Sequence, residues 1–223
     1  QSLSPEGIIL SGGPASIYEK SSPRVDKGIF ELGIPVLGIC YGMHFMVDSI
    51  GGTVKKASKR EYGFAALKAK RQSGLFSGIE KETVTWMSHG DSIDTLPKGF
   101  SITASTDNTR AAAIANSGKK FYGVQFHPEV EHTAKGRKMI GNFLFDICGC
   151  KRSWTMKSFA RDTIAQIHAD VGDKKVILGL SGGVDSSVTA LLIHKAIGRH
   201  LTCIFVDNGL LRKDEAAQLK EKL

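Results

Sequence analysis

The chain has 223 residues, 41% of them hydrophobic, and its 30 Lys and Arg against 22 Asp and Glu leave a net charge of +8. That length and apolar content suit one large or two ordinary packed domains. They exclude a disordered chain; no apolar run approaches the ~20 residues of a membrane helix, and no basic stretch is interleaved with aromatics as single-strand nucleic-acid binders require.

The positive charge is dispersed, which favours small anionic partners such as phosphates over a nucleic-acid groove. The four cysteines, Cys40, Cys148, Cys150 and Cys203, form no CxxC pair and have no histidines at zinc-finger spacing. Neither a disulfide framework nor a structural metal is indicated, and a reducing cytoplasm fits. The chain starts at Gln1 without an initiator Met and stops inside the helical pattern "LLRKDEAAQLKEKL". It reads as a piece of a longer polypeptide.

From Gly7 to about Cys150, short apolar runs alternate with turns: "GIILSGG", "IPVLGIC", "ETVTWM", "FSITAST", "AAAIAN" and "KKFYGVQF" read as strands. The first two are nearly continuous in apolar residues, as parallel strands covered on both faces are. Helices are expected over Arg24 to Leu32, after Cys40 to Ser49, and over Thr133 to Ile147. The result is an α/β layered domain over residues 1–150. A second α/β unit, residues 151–223, opens with a helix from Met156 to about Asp170. A strand "KKVILGL", the loop "LSGGVDSS", a helix "SVTALLIHKAIG" and a strand "LTCIFVDNG" follow, forming a βαβ with a glycine-rich first turn.

In "PVLGICYGMHF" the pattern puts Cys40 at a strand-to-helix turn between Gly38 and Gly42, a nucleophile-elbow arrangement with sulfur in place of oxygen. A helix N-terminus favours thiolate there, although an isolated free cysteine is more often a buried packing residue. The balance moves with "GVQFHPEV": His127 closes a strand and Glu129 lies two residues on, so both side chains point the same way. That is a base and its orienting carboxylate. The loop "LSGGPAS" ends a strand in glycines, so the amides of Gly13 and Tyr41 can together hold an oxyanion.

These stretches together, "SGGP", "GICYGM", "SHGD" and "GVQFHPEV" in that order, resemble the class I glutamine amidotransferases, which have a flavodoxin-like α/β fold. The resemblance implies that Cys40 attacks the side-chain amide of glutamine, that His127 shuttles the proton and that Glu129 orients His127. It also implies that "REYG" around Tyr62 and "MSHGD" around His89 line the glutamine pocket. One position departs from the family pattern: His44 stands where such domains usually carry Gln.

The later loop offers backbone N–H groups at Gly182 and Gly183 and hydroxyls at Ser181, Ser186 and Ser187 in front of a helix N-terminus, a setting for an anion. It has no lysine, so it is not the G-x-x-x-x-G-K-[ST] loop. Asp185 beside a phosphate makes sense if Mg²⁺ accompanies it. S-G-G-x-D-S, here Ser181, Gly182, Gly183, Val184, Asp185 and Ser186 followed by Ser187, resembles the pyrophosphate loop of the N-type ATP pyrophosphatases, whose fold is Rossmann-like (adenine nucleotide α-hydrolase-like). An amidotransferase fused upstream of this loop and followed by "FVDNGLLRK" resembles enzymes whose substrates are glutamine, ATP and XMP, which implies that the C2 oxygen of XMP is adenylated and then replaced by ammonia to give GMP. Asp207, ending the next strand, is a candidate nucleotide or Mg²⁺ contact.

The XMP pocket and a dimerisation domain making a homodimer are expected beyond Leu223, and a first strand and helix before Gln1. Three alternatives stand: the glutaminase part of another class I amidotransferase, another ATP pyrophosphatase enzyme, and a nucleotide-binding relative without catalysis. An internal elbow cysteine argues against the pyrophosphatase enzymes that pair with a nitrilase-like domain or use an N-terminal cysteine.

Overall fold

The structure, a computed structural model, describes residues 4–70, 72–153, 155–207 and 209. The "LLRKDEAAQLKEKL" helix lies outside the described residues. The chain divides into two compact units, Gln1–Lys151 and Arg152–Leu223.

Unit 1 is built on a seven-stranded sheet. Its strands are β1 (Ile8–Leu10), β2 (Val36–Ile39), β3 (Thr53–Ala69), β4 (Glu82–Thr95), β5 (Ser101–Ser105), β6 (Ala113–Asn116) and β7 (Phe121–Val124). Their spatial order is β1-β2-β7-β6-β5-β3-β4. β1, β2 and β7 run parallel, and the remaining neighbours pair antiparallel. Every residue of β2 and β7 is buried, as central strands covered on both faces must be. The continuous apolar patterns of "PVLGI" and "FYGV" follow from that burial.

Helix α1 (Tyr41–Ser49) leaves β2 at once, and its first seven residues are buried. Glycines make this close approach possible. A Cβ on Gly38 would lie 2.7 Å from backbone atoms of Gly42 and Met43, and one on Gly42 would lie 2.1 Å from the Leu10 carbonyl oxygen of β1. The flanking glycines therefore serve the seating of α1 on the sheet.

Three local expectations change. Arg24 to Leu32 holds only a 3-10 helix, Lys27–Glu31, capped by Asp26; Pro23 and Gly28 leave too short a run for α-helix. Thr133 to Ile147 is shorter and mixed, with α2 (Gly136–Gly141) passing into a π-helical turn, Asn142–Ile147. Most of all, β3 has no counterpart among the expected strands. It is long and mostly polar, and it is a strand because it pairs with β4 from Thr53↔Thr95 to Lys68↔Glu82, with a bulge between Lys56 and Glu61.

In unit 2, α3 (Met156–Val171) starts at a capping box made by Thr155 and Ser158 and ends at Gly172. β8 (Val176–Leu180), α4 (Val184–Ile197) and β9 (Leu201–Phe205) follow, and β8 pairs parallel with β9. Among the described residues no helix is long and apolar enough to cross a membrane.

Candidate active site

Cys40 sits between β2 and α1 with φ 49° and ψ −109°, a left-handed conformation that costs a non-glycine residue ~1–3 kcal/mol. Packing holds it there: its N–H donates to the Val124 carbonyl at 2.8 Å, continuing the β2–β7 ladder, while its own carbonyl accepts from the N–H groups of Met43 and His44 at the start of α1. The residue is only 5% exposed, yet it lines a cavity of about 610 Å³. Burial and access thus coincide: the strained turn buries the residue while one of its faces bounds the cleft.

His127 follows β7. Its N–H donates to the Trp86 carbonyl at 3.1 Å, and its carbonyl accepts from the Thr133 hydroxyl at 2.6 Å. Thr133 Oγ1 in turn accepts from the Trp86 N–H at 3.0 Å. Strand β4 and the turn before α2 therefore clamp the histidine from both sides. Its Nδ1 lies 2.7 Å from Glu129 Oε1. The other ring nitrogen is left for Cys40, which lines the same cavity wall as His127.

Hydrogen bonding to Cys40 is the largest cause raising the His127 pKa from 6.5 to about 9; burial opposes it, and the Glu129 hydrogen bond reinforces it. The ring is thus set to take and keep a proton beside the sulfur. Gly12 belongs to the same geometry, since a Cβ there would lie 2.8 Å from His127 Cε1 and 3.6 Å from Cys40 Cβ. A Cβ on Gly13 would lie 3.9 Å from that of Tyr41, so the two residues expected to hold an oxyanion are neighbours at the cavity wall.

Tyr62 and His89 also line this cavity, as do Lys56, Arg60, Glu19 and Asp91. Charges of both signs meet there. His89 is buried behind the wall in a network that sequence reading missed. Glu61 accepts hydrogen bonds from Thr106 Oγ1 at 2.9 Å and Thr109 Oγ1 at 2.5 Å, and stands 3.4 Å from His89 Nε2, while His89 Nδ1 meets the Asp91 carbonyl at 2.8 Å. The Ser16 hydroxyl donates to the Asp91 carboxylate, tying the loop after β1 to β4. A buried carboxylate is tolerable only with such donors. The partners lie 28 to 48 residues away from Glu61 in the chain, so no local spacing announces them.

His44 is 4% exposed and lines the cavity too, its Nε2 2.8 Å from Gln125 Oε1. Gln125, which sequence reading did not single out, is fully buried and approaches Cys40 Sγ with its Nε2 at 3.7 Å.

The glycine-rich turn of unit 2 is exposed. Gly182 has φ 81° and Gly183 is the N-cap of α4, without a side-chain capping bond. The hydroxyls lie on the loop itself: Ser186 and Ser187 donate to the Gly183 carbonyl at 3.1 and 2.9 Å, and Ser181 Oγ lies 3.1 Å from Ser186 Oγ. Val184 is 77% exposed, and Asp185 is the acidic residue of the first turn of α4. Asp207 Oδ1 accepts from the Gly209 N–H at 2.9 Å. Among the described residues, no three His, Cys, Asp or Glu come together as a metal-binding group. A single exposed carboxylate next to a helix N-terminus still suits Mg²⁺ brought with a nucleotide, because that ion keeps most of its water and phosphate ligands.

The family model for class I glutamine amidotransferases matches residues 1–147, and that for NAD synthase matches residues 155–218. The chain is 58% identical over 217 residues to a protein of Brachyspira hyodysenteriae named GMP synthase [glutamine-hydrolyzing], covering 97% of this chain and 42% of that one. A protein of the same name from Acetivibrio thermocellus is 56% identical over 221 residues, 99% of this chain and 43% of its own. The chain thus spans about two fifths of the length of these curated relatives. Among solved structures, a Thermoplasma acidophilum protein named as one of the subunits of GMP synthase superposes with a TM-score of 0.57 at 32% identity, over 65% of this chain and 73% of its own.

Proposed function

The chain belongs to the class I glutamine amidotransferase family over residues 1–147, and from that premise we propose that unit 1 hydrolyses glutamine and, within a longer polypeptide, feeds the ammonia to a GMP-forming synthetase begun by unit 2. The observation that carries this reading is the hydrogen-bonded His127–Glu129 couple together with Cys40 on the wall of one cavity large enough for an amino acid.

In the proposed reaction Cys40 Sγ attacks the side-chain amide carbon and its proton passes to His127 Nε2, while Glu129 holds the ring through Nδ1. The carbonyl oxygen becomes an oxyanion facing the amides of Gly13 and Tyr41. The intermediate collapses, the C–N bond breaks, and His127 returns the proton so that ammonia leaves. Water, its proton taken by His127, then attacks the thioester and releases glutamate. Lys56 and Arg60 offer cations to the substrate carboxylate, and Glu19 and Asp91 offer carboxylates to its ammonium, which is what a zwitterionic amino acid needs.

For unit 2, ATP is the proposed substrate of the Ser181 to Ser187 turn, whose backbone N–H groups and helix N-terminus receive the phosphates. XMP is adenylated at its C2 oxygen with release of pyrophosphate, and ammonia displaces AMP. Mg²⁺, when bound, offsets the phosphate charge, and Asp185 is the residue here that would hold it. The names of the relatives and the NAD synthase match over residues 155–218 support this half. A cytoplasmic homodimer, acting on small molecules and not on nucleic acid, completes the proposal.

The test is GMP formation from XMP and ATP by the polypeptide that carries this chain, with glutamine or with ammonia as nitrogen donor. Cys40→Ala should reduce the glutamine-dependent rate at least ~10³-fold and spare the ammonia-dependent one. Loss of both, or of neither, would overturn the assignment of Cys40 as nucleophile.

A further inference from the structure

Beyond the His127–Glu129 couple, the sulfur of Cys40 meets a second pair of side chains. Gln125 lies immediately after β7 and two residues before His127, and its N–H donates to the Ala112 carbonyl at 2.9 Å, so its backbone is fixed. Its fully buried side chain touches two groups: Oε1 stands 2.8 Å from His44 Nε2, and Nε2 stands 3.7 Å from Cys40 Sγ. An amide oxygen only accepts hydrogen bonds, so with Oε1 facing His44 the contact takes its proton from His44 Nε2, and in that arrangement the amide N–H groups face the sulfur.

We propose that Gln125 is a positioning residue for the nucleophilic sulfur and that His44 is the lock that aims it. The proposal rests on the glutaminase reading above. Burial lowers the His44 pKa from its ordinary value, so at neutral pH the ring is uncharged and can keep its proton on Nε2. Opposite Gln125, the Ser88 carbonyl lies 3.6 Å from the sulfur. The two contacts favour opposite protonation states. The thiol donates to Ser88; once its proton has moved to His127, the thiolate accepts from Gln125 without leaving its place. The sulfur is thus held at one spot through the proton transfer, as a near-attack geometry demands.

The other titratable groups around this point are His127 and Glu129 beyond β7, and His89 and Asp91 on β4 with Glu61 on β3 behind them. All of them stay in place in the variants that follow.

The experiment reads the rate of Cys40 alkylation against pH in the polypeptide that carries this chain, using iodoacetamide and, separately, the glutamine-shaped electrophile 6-diazo-5-oxo-norleucine, with the label located by mass spectrometry. Gln125→Glu turns a carboxylate on the sulfur and should move the alkylation profile up by about one pH unit or more, lowering kcat for glutamine about tenfold with a smaller change in KM. Gln125→Met removes the donor without adding charge and should shift the profile in the same direction by less. His44→Leu should reproduce the Gln125→Met shift, and His44→Gln, which again offers a donor to Oε1, should reverse most of it. Profiles of folded Gln125→Glu and His44→Leu that coincide with that of the parent would overturn the proposal. Should the Gln125 variants fail to fold, the His44→Leu and His44→Gln pair decides by itself. If the parent protein ignores the glutamine-shaped reagent, the glutaminase reading fails, and the iodoacetamide profiles still decide the role of Gln125.

Discussion

Two turns in this chain share one plan, a parallel strand that ends in a glycine-containing bend and runs straight into a helix, and they come out very differently. At the end of β2 the bend is buried: every residue of the strand and the first seven of α1 are covered, and Cys40 is pressed into a left-handed conformation. At the end of β8 the strand alternates between half-buried and exposed, α4 buries only Ala190, and the left-handed residue is a glycine, Gly182. The first turn can hold a cysteine in a strained conformation because packing on all sides pays for it. The second presents backbone and small hydroxyls to solvent, which suits an anion that arrives with its own charge and water.

The sharpest way to break the comparison uses matched glycines. Gly38 in β2 and Gly179 in β8 each stand two residues before the bend residue, Cys40 or Ser181. A Cβ on Gly38 would meet helix backbone at 2.7 Å, whereas one on Gly179 would meet nothing within 4 Å. Gly38→Ala should cost about 3–5 kcal/mol or prevent folding, because backbone cannot yield as a side chain can. Gly179→Ala should change stability by no more than about 0.5 kcal/mol. Denaturant melts of the two variants make the measurement, and equal costs would mean that the two turns are packed alike.

Next in size is Gly12→Ala, whose new methyl would push the His127 ring at Cε1. If the proposed glutaminase reading holds, glutamine hydrolysis should fall about a hundredfold while the melting temperature changes little, since the displacement falls on the His127 ring at the cavity wall and not on the core. Asp185→Ala probes the other turn. It should lower ATP–pyrophosphate exchange at least about tenfold, in keeping with the loss of an electrostatic contact to a metal-bound phosphate, and leave Cys40 alkylation untouched. Damage to both readouts would deny that the turns serve separate chemistries.

The smallest effect is spectroscopic. The His127 ring, followed by NMR, should titrate near pH 9, and in Cys40→Ala its midpoint should fall back towards 6.5, because hydrogen bonding to Cys40 is the largest cause of the shift. A base whose pKa is raised on folding stabilises the folded form fully below its unfolded value. Here that contribution is complete below about pH 6.5 and is lost as the pH climbs through about 9. A parent titration near 6.5 would show that the sulfur and the ring do not share a proton.

How far the site was legible in the sequence depends on whether its parts are local. The bend at Cys40, the histidine with a carboxylate two residues on, and the glycine-rich turn before α4 are all short-range patterns; the two bends lie at strand ends as expected, whereas His127 does not close its strand but stands three residues past the end of β7 at Val124. Gln125, Glu61, Thr106 and Thr109 were not legible. Each is an ordinary polar residue until a partner 28 to 85 positions away reaches it, as His44, His89 and Cys40 do.

The same division runs through the fold. Apolar runs and turn residues alone determined the buried parallel strands, the helix after Cys40 and the βαβ of unit 2, since covering by neighbours and tight bends leave their mark in adjacent residues. Only the tertiary structure decided that the polar stretch from Thr53 to Ala69 is a strand, because its backbone groups are satisfied by β4 and its pattern is not apolar. It also decided why Gly38 and Gly42 are glycines: the distance between a helix and the sheet beneath it is set by packing, which no stretch of sequence contains by itself.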